Sequence, residues 1–516
     1  MKGSTSSRLN IGKVASLDTP ENELEAMDDD IPDHLVWEGM LREADEQLSK
    51  DPHALEPAFK RAQLLWSLGR TDEARLAYVH VLTLSPTHFG AINNLGTLLC
   101  STGFVQDALT CYAEAVAQHP NNPVGHVNLA NLLLKNGELD LAGEHYEKAL
   151  QLNPGHAEAH QGLASLFEKL GDEEKAEHHR RMGFRGKAVT VVPYRGQGQA
   201  IEVLVLATAT RGNARIQKFL DDHIFHVTVF FMEYCNVTLQ LPRHQLIVNI
   251  IGNADLCRRA LEAAEKIVSK SSAPVINSPS AVLRTGRVSM SGRLRNIPGL
   301  VAPLMETFPR SELEAPGAVE LLAEHGFKVP FLFRSPGFNN GRNFFKIENK
   351  TDLPMALESL PGKEITAIQF LDARGADGKV RKYRVMFIDG KLYPLHLAIA
   401  DQWKIHYVTA DMADNSANRA EEEAFLYNME SVLGRATVTT LQAVCSVLGL
   451  EYGGIDFGIG KGGEVLLFES NATMTVGPPG PDERWAYRRA PIGRVLKAIN
   501  RMILQKARSQ ARCRTQ

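Results

Sequence analysis

The chain holds 516 residues, 60 acidic against 57 basic, for a formal net charge of −3. Such a balance offers no global field to draw the protein onto nucleic acid or an anionic membrane. The length leaves room for about three domains at roughly 100–200 residues each. At 44% hydrophobic and 23% charged, the composition is that of a globular protein. No apolar run reaches the ~18–20 residues of a membrane-spanning helix, and the N-terminal thirty residues lack the apolar centre of a signal peptide. Cys100, Cys111, Cys235, Cys257, Cys445 and Cys513 show no CxxC spacing. Free thiols and a cytoplasmic location are expected.

Residues 1–34 are polar, with an acidic cluster at Asp28-Asp29-Asp30, and are expected to form a disordered tail. From there a repeat sets in. Pro52, Pro86, Pro120 and Pro154 are each 34 residues apart, as are Gly69, Gly103, Gly137 and Gly171, and Ala74, Ala108, Ala142 and Ala176. Tyr78, Tyr112 and Tyr146 keep the step, and Arg180 takes the fourth place. This period and pattern resemble the tetratricopeptide repeat. Glycine ends the first helix of each pair, alanine allows close helix approach, tyrosine packs into the next repeat, and proline closes the second helix. Arginine at 180 fits a last repeat with no successor to bury an aromatic. Four repeats follow, at 53–86, 87–120, 121–154 and 155–188, with Val36–Ser49 as a helix in front: an all-α solenoid over 35–188. Its concave face is expected to hold a peptide or protein, with Asn94 and Asn128 as contacts. His178 and His179 read as a solvated helix end.

Gly186–Gln199 has the glycine content of a linker. Strands then alternate with helices: Ile201–Leu206, Val227–Phe231, Gln245–Ile251, the helix Leu256–Ser269, the strand Pro274–Asn277, then Ser280–Arg293. The alternation predicts a partly parallel α/β domain over 196–295. Beyond it, Phe331–Ser335 is a strand followed by a loop, Pro336–Arg342, and by Phe344–Ile347. Ile365–Leu371 leads into Asp372. Val380–Ile388 and Lys391–Ala398 flank an Asp-Gly turn. His396, Trp403, His406 and Tyr407 read as a packing cluster. Glu421–Val432 and Val438–Leu448 are helical, and Val495, Leu496, Ile499, Met502 and Ile503 form the stripe of a docked helix with a basic outer face.

The stretch Leu450–Thr473 carries the chemistry. Tyr452–Ile459 and Val465–Ser470 are strands around the turn Gly460-Lys461-Gly462-Gly463. Glu469 and Asn471, two apart, share a face, and the hairpin brings Asp456 opposite them. Two carboxylates and an amide suit a hard divalent cation such as Mg²⁺. Aspartate, glutamate thirteen residues on, asparagine two further and the loop Gly477-Pro478-Pro479-Gly480 resemble the magnesium hairpin of ATP-grasp ligases. That superfamily includes D-alanine–D-alanine ligase, glutathione synthetase and protein-glutamate ligases.

The resemblance implies a multidomain protein: the solenoid, an α/β pre-grasp domain at 196–295, and an α+β ATP-grasp fold at 296–505. Its cofactors would be ATP and Mg²⁺, with Mn²⁺ as an equivalent, the metal being held by Asp456, Glu469 and Asn471. Arg334, in the place of the usual strand-end lysine, would reach the phosphates beneath the loop glycines Gly337 and Gly341, with Lys346 as a second cation. Gln369, Phe370, Leu371 and Asp372 would line the adenine and ribose. Arg384 and Lys404 would be catalytic, stabilising the phosphoryl group. One of Arg284, Arg287 and Arg293 would contact the nucleotide. Gly454 stands where D-alanine ligases carry an arginine, which speaks against D-alanine ligation itself. The implied function is carboxylate–amine ligation through an acyl phosphate, on small-molecule substrates, with the repeats recruiting a peptide or protein. Nucleic acid and membrane are not expected partners. An ATP-grasp kinase or phosphotransferase, or a non-catalytic scaffold with a degenerate nucleotide fold, are the alternatives.

Overall fold

The structure is a computed structural model that describes residues 33–196, 198–235, 240–336, 343–405, 410–477, 479 and 482–513. The expected tail up to residue 32, the loop glycines Gly337 and Gly341, and His406 and Tyr407 lie outside the described residues. The chain divides into two compact units, one formed by residues up to 204 with 220–243, the other by 205–219 with 244 onward.

The first unit is led by the helices α1 (Asp33–Lys50), α2 (Leu55–Ser67), α3 (Thr71–Leu84), α4 (Phe89–Ser101), α5 (Val105–Gln118), α6 (Pro123–Asn136), α7 (Leu139–Leu152), α8 (Ala157–Leu170) and α9 (Glu173–Phe184). From α2 onward they pair in sequence order, two to each 34-residue step. Gly69, Gly103, Gly137 and Gly171 all take the left-handed conformation, with φ between 72° and 91°, at the end of the first helix of each pair. The four phased alanines are fully buried. The tyrosines are buried too and find partners for their hydroxyls: Tyr112 donates to Thr97 Oγ1 at 2.9 Å and Tyr146 to Asn131 Oδ1 at 2.6 Å. Gly162, in the helix after Tyr146, shows how closely the repeats stack, because a Cβ there would lie 2.2 Å from the Tyr146 ring.

Arg180 is 2% exposed and bonds Glu168 and Glu177. The last repeat buries an ion pair where the others bury an aromatic. Two expectations for this unit change. His179 is not a solvated end. Its Nδ1 lies 2.9 Å from Nδ1 of His160, whose Nε2 donates to the Pro154 carbonyl. One repeat earlier His126 and His145 make the same arrangement, with Nε2 of His126 on the Pro120 carbonyl. Asn94 is buried, with its amide 3.4 Å from the Tyr78 hydroxyl, and Asn128 donates to Asn93 Oδ1 at 2.7 Å. Asn94 is thus a packing residue rather than a surface contact for a peptide, and the Asn128 amide serves the stacking of neighbouring repeats.

The expected linker contains a strand, β1 (Val189–Val192), a β-branched run in which valines flank Thr190. It pairs antiparallel with β3 (Phe225–Phe231), Val189 opposite Phe230. That pairing draws 220–243 into the first unit, so the segment 196–295 is divided between the two units. Between β1 and β3 in sequence, β2 (Ile201–Ala207) runs from one unit into the other.

In the second unit β4 (Leu246–Asn249) and β5 (Val275–Ile276) pair in parallel. The remaining strands are β6 (Leu300–Val301), β7 (Met305–Pro309), β8 (Phe331–Arg334), β9 (Phe344–Ile347), β10 (Glu364–Gln369), β11 (Val380–Ile388), β12 (Lys391–Ala400), β13 (Tyr452–Ile459) and β14 (Val465–Asn471). They make a four-stranded sheet in the order β7-β10-β8-β9 and a five-stranded sheet in the order β12-β11-β13-β14-β6. All neighbours are antiparallel except β14 with β6. The helical stretch before β13 is broken into Ser416–Tyr427, Met429–Leu433 and Arg435–Leu448 because the Asn428 side chain caps a new helix, accepting from Ser431 N. Below the second sheet, buried Glu422 accepts from Tyr487, Arg488 and Leu397 N.

Candidate functional site

Register does the first work of assembly. In the five-stranded sheet Arg384 on β11 stands opposite Asp456 on β13, and Asp456 opposite Glu469 on β14. Gly454 stands opposite Asn471, two residues along both strands. Directly opposed residues share a face of the sheet, so Asp456, Glu469 and Asn471 present their oxygens on one side. A bulge between Asp456 and Phe457 shifts the register just beyond the pair. Gly454 has no room for any side chain: a Cβ would lie 2.4 Å from the Val385 carbonyl oxygen. An arginine could not enter this position without moving β11.

These residues border a cleft of about 890 Å³, lined from both sheets and from the loop after β4. The volume is within the ~300–1,000 Å³ of small-molecule sites. One end is apolar, walled by Met305, Leu332, Phe344, Ile368, Phe370 and Trp403. Trp403 packs its ring 5.6 Å from Phe344 and 6.0 Å from Phe370. It is part of the cleft wall, not simply of a packing cluster. His396, its expected neighbour, is buried across the strand from Arg384, and burial with the Arg384 charge beside it drives its imidazole well below the usual range.

The other end is charged. Asp456 is 4% exposed. Arg384 grips it through two bonds, Nε to Oδ1 at 2.5 Å and Nη2 to Oδ2 at 2.7 Å, and Lys382 Nζ stands 3.3 Å from Oδ2. Burial alone would raise this carboxyl, but the Arg384 charge and hydrogen bonds, with Lys382 behind them, hold it down at about 2. Glu469 accepts from Arg287 Nη2 at 2.7 Å. The Asn471 Oδ1 accepts from the Thr473 amide and hydroxyl, at 2.6 and 2.5 Å. Arg334 ends β8 between the two regions, its guanidinium 5.9 Å from the Phe344 ring centre. Burial, with Arg287 nearby, lowers its pKa to about 10.

Of the expected nucleotide residues, Arg334, Gln369, Phe370, Leu371, Asp372, Arg384 and Lys404 line the cleft. Gln369 Oε1 accepts from Leu304 N, and Asp372 binds Arg374. Lys346 is not among the lining residues; it bonds Glu348 and lies 4.4 Å from the Phe370 ring centre. Among the three arginines left open, only Arg287 lines the cleft, whereas Arg284 and Arg293 flank a small separate hollow beside Val447 and Leu448. Sequence reasoning missed Lys382 and the loop residues Asn253 and Asp255. Lys382 was visible only as the residue two before Arg384, on its face of the strand.

Two carboxylates and an amide oxygen on one sheet face are ligand types that suit a hard cation; in this structure Asp456 is engaged by Arg384 and Lys382, Glu469 by Arg287, and Asn471 by Thr473. A further cluster of metal-ligating type, Asp221, Asp222 and His223, lies in the first unit, where Arg195 pairs with Asp222. Among the described residues no helix is long and apolar enough to cross a membrane.

Sequence models of the tetratricopeptide repeat match residues 59–123, 123–156 and 145–178. No curated protein matches the chain. Among solved structures, MamA from Desulfovibrio magneticus is similar at 26% identity, over 28% of this chain and 81% of that one, with a TM-score of 0.26. A thermophilic tetratricopeptide protein of Thermus thermophilus is 18% identical over 29% of this chain and 83% of its own, also with a TM-score of 0.26. The helical region is a set of tetratricopeptide repeats, an architecture that serves protein–protein interaction.

Proposed function

We propose that the second unit is an ATP-dependent carboxylate–amine ligase of ATP-grasp type, and that the repeats recruit a protein or peptide for it. The observation that carries this reading is the convergence of Asp456, Glu469 and Asn471 with Arg334 and Arg384 at one end of a cleft whose other end is an apolar slot. A purine would lie against the wall formed by Phe344, Phe370 and Trp403, as a flat apolar body lies against aromatic rings, leaving its phosphates toward the charged residues. Asp456, Glu469 and Asn471 would hold Mg²⁺, which when bound neutralises charge developing on the transferred phosphoryl group.

The residues of the chain do the rest. Arg384, held on β11 by its bonds to Asp456, and Arg334, largely buried at the end of β8, stabilise negative charge in the cleft. Lys404, at the exposed margin, adds a movable cation. A substrate carboxylate attacks the γ-phosphorus, ADP departs, and an amine displaces phosphate from the acyl phosphate to form the amide. No side chain needs to act as a covalent nucleophile. The Gly454 position leaves phosphoryl stabilisation to cations on β8 and β11.

The reading is tested by thermal denaturation with and without MgATP, beside Glu469→Ala. At a hundred times its dissociation constant a ligand stabilises the folded state by about 2.7 kcal/mol. A rise in the transition of the second unit that the variant loses is the expected result. No rise at millimolar MgATP contradicts it.

A further inference from the structure

We infer that Lys382 is a phosphate-binding residue of this cleft, engaging the outer phosphates of a nucleoside triphosphate; the inference rests on the nucleotide reading above. It begins with a charge imbalance. Arg384 already satisfies both oxygens of Asp456, in the bidentate geometry that pairs one guanidinium with one carboxylate. Lys382 is nevertheless brought to 3.3 Å from the same carboxylate, with its side chain 16% exposed. Two cations on one buried carboxylate repel each other. The bidentate bond anchors Arg384 at Asp456, whereas Lys382 makes a single, longer contact to the same carboxylate and is the less tightly held of the two cations.

The excess extends along the wall. Arg287, Arg334, Lys382, Arg384 and Lys404 line the cleft, against Asp255, Asp372, Asp456 and Glu469. Asp372 pairs with Arg374, which does not line the cleft. Cations thus outnumber acidic groups along the lining. Such a surplus in a partly dry site is complementary to a polyanion. Which phosphate Lys382 meets follows from its neighbour. Asp456 is one of the residues that would hold a metal ion, which would neutralise charge on the phosphates. Lys382, which shares that carboxylate, would accordingly meet the metal-bound outer phosphates rather than the inner one.

The test is calorimetric titration of the full chain with Mg²⁺-ADP and with the Mg²⁺ complex of a non-hydrolysable ATP analogue, in the wild type and in Lys382→Met, Lys382→Gln and Lys382→Arg. Loss of one charge-assisted contact is expected to weaken the triphosphate about tenfold or more in the Met and Gln variants. ADP should be weakened less, so the preference for triphosphate shrinks, and Lys382→Arg should keep most of it. If both nucleotides weaken equally, or neither changes while only thermal stability falls, Lys382 is a counter-ion and the assignment is overturned, with the nucleotide reading intact. If the wild type binds neither nucleotide, the nucleotide reading fails and this inference with it.

Discussion

The solenoid solves one burial problem four times, whereas the cleft unit relies on charged pairs that each occur once. In the repeats, a small residue and an aromatic recur at fixed phase, and their burial follows from stacking alone. Buried charge enters there at Arg180, where the aromatic series stops and Glu168 supplies the partner. In the cleft, buried charge follows no such series. Arg384, Lys382 and Asp456 gather on adjacent central strands, where an apolar trio would pack without desolvation. The difference is instructive. A buried ion pair that ends a repeat can be explained by the repeat. One at the wall of a cleft calls for an account based on what the cleft binds.

Four experiments would break or sharpen this contrast. The largest effect is expected for Asp456→Ala, which leaves Arg384 and Lys382 facing each other without their carboxylate. Breaking a buried pair in this way costs about 3–5 kcal/mol. Chemical denaturation should show the loss in the transition of the second unit, with the solenoid transition unmoved. Next, Gly162→Ala places a methyl group against the Tyr146 ring. Overpacking of this kind destabilises by about 1–3 kcal/mol, read in the solenoid transition alone. Tyr146→Phe removes one buried hydroxyl bond to Asn131 and should lower the same transition by about 1 kcal/mol.

The smallest effect is one of pH. Burial pushes the His179 imidazole down to about 4, with the charges of His160 and His178 adding to it. Its unfolded value is near 6.5, so between the two the unfolded chain takes a proton that the folded repeat refuses. The His179 contribution is therefore intact above about pH 6.5 and is lost as pH falls toward about 4. The melting temperature of the solenoid should drop over that window, and His179→Phe should flatten the profile.

The solenoid was legible because periodicity needs only one sequence: four phased series fixed helix ends, contacts and repeat count. The hairpin at 452–471 was legible because its glycine turn determines which residues face one another. What remained hidden depends on geometry that spacing does not encode. Arg284, Arg287 and Arg293 look alike in a basic stretch. The helix Pro279–Leu283 stops, and a new one starts at Arg287, which alone lines the cleft. Lys382 gave no sign of its partner, because Asp456 lies on another strand more than seventy residues away. The strand β1 was masked by the glycines around it. Arg180 gave no sign of its burial, because a charged residue is buried only where the fold brings it a partner, here Glu168.

The central claim, that the charged end of the cleft holds a metal–nucleotide complex, is tested most directly by electron paramagnetic resonance of Mn²⁺ with the full chain and ADP. Mn²⁺ in this complex should lose its free-ion signal on adding the wild-type protein and recover it with Glu469→Ala or Asn471→Ala. An unchanged spectrum with the wild type, or the same loss with both variants, would contradict the account.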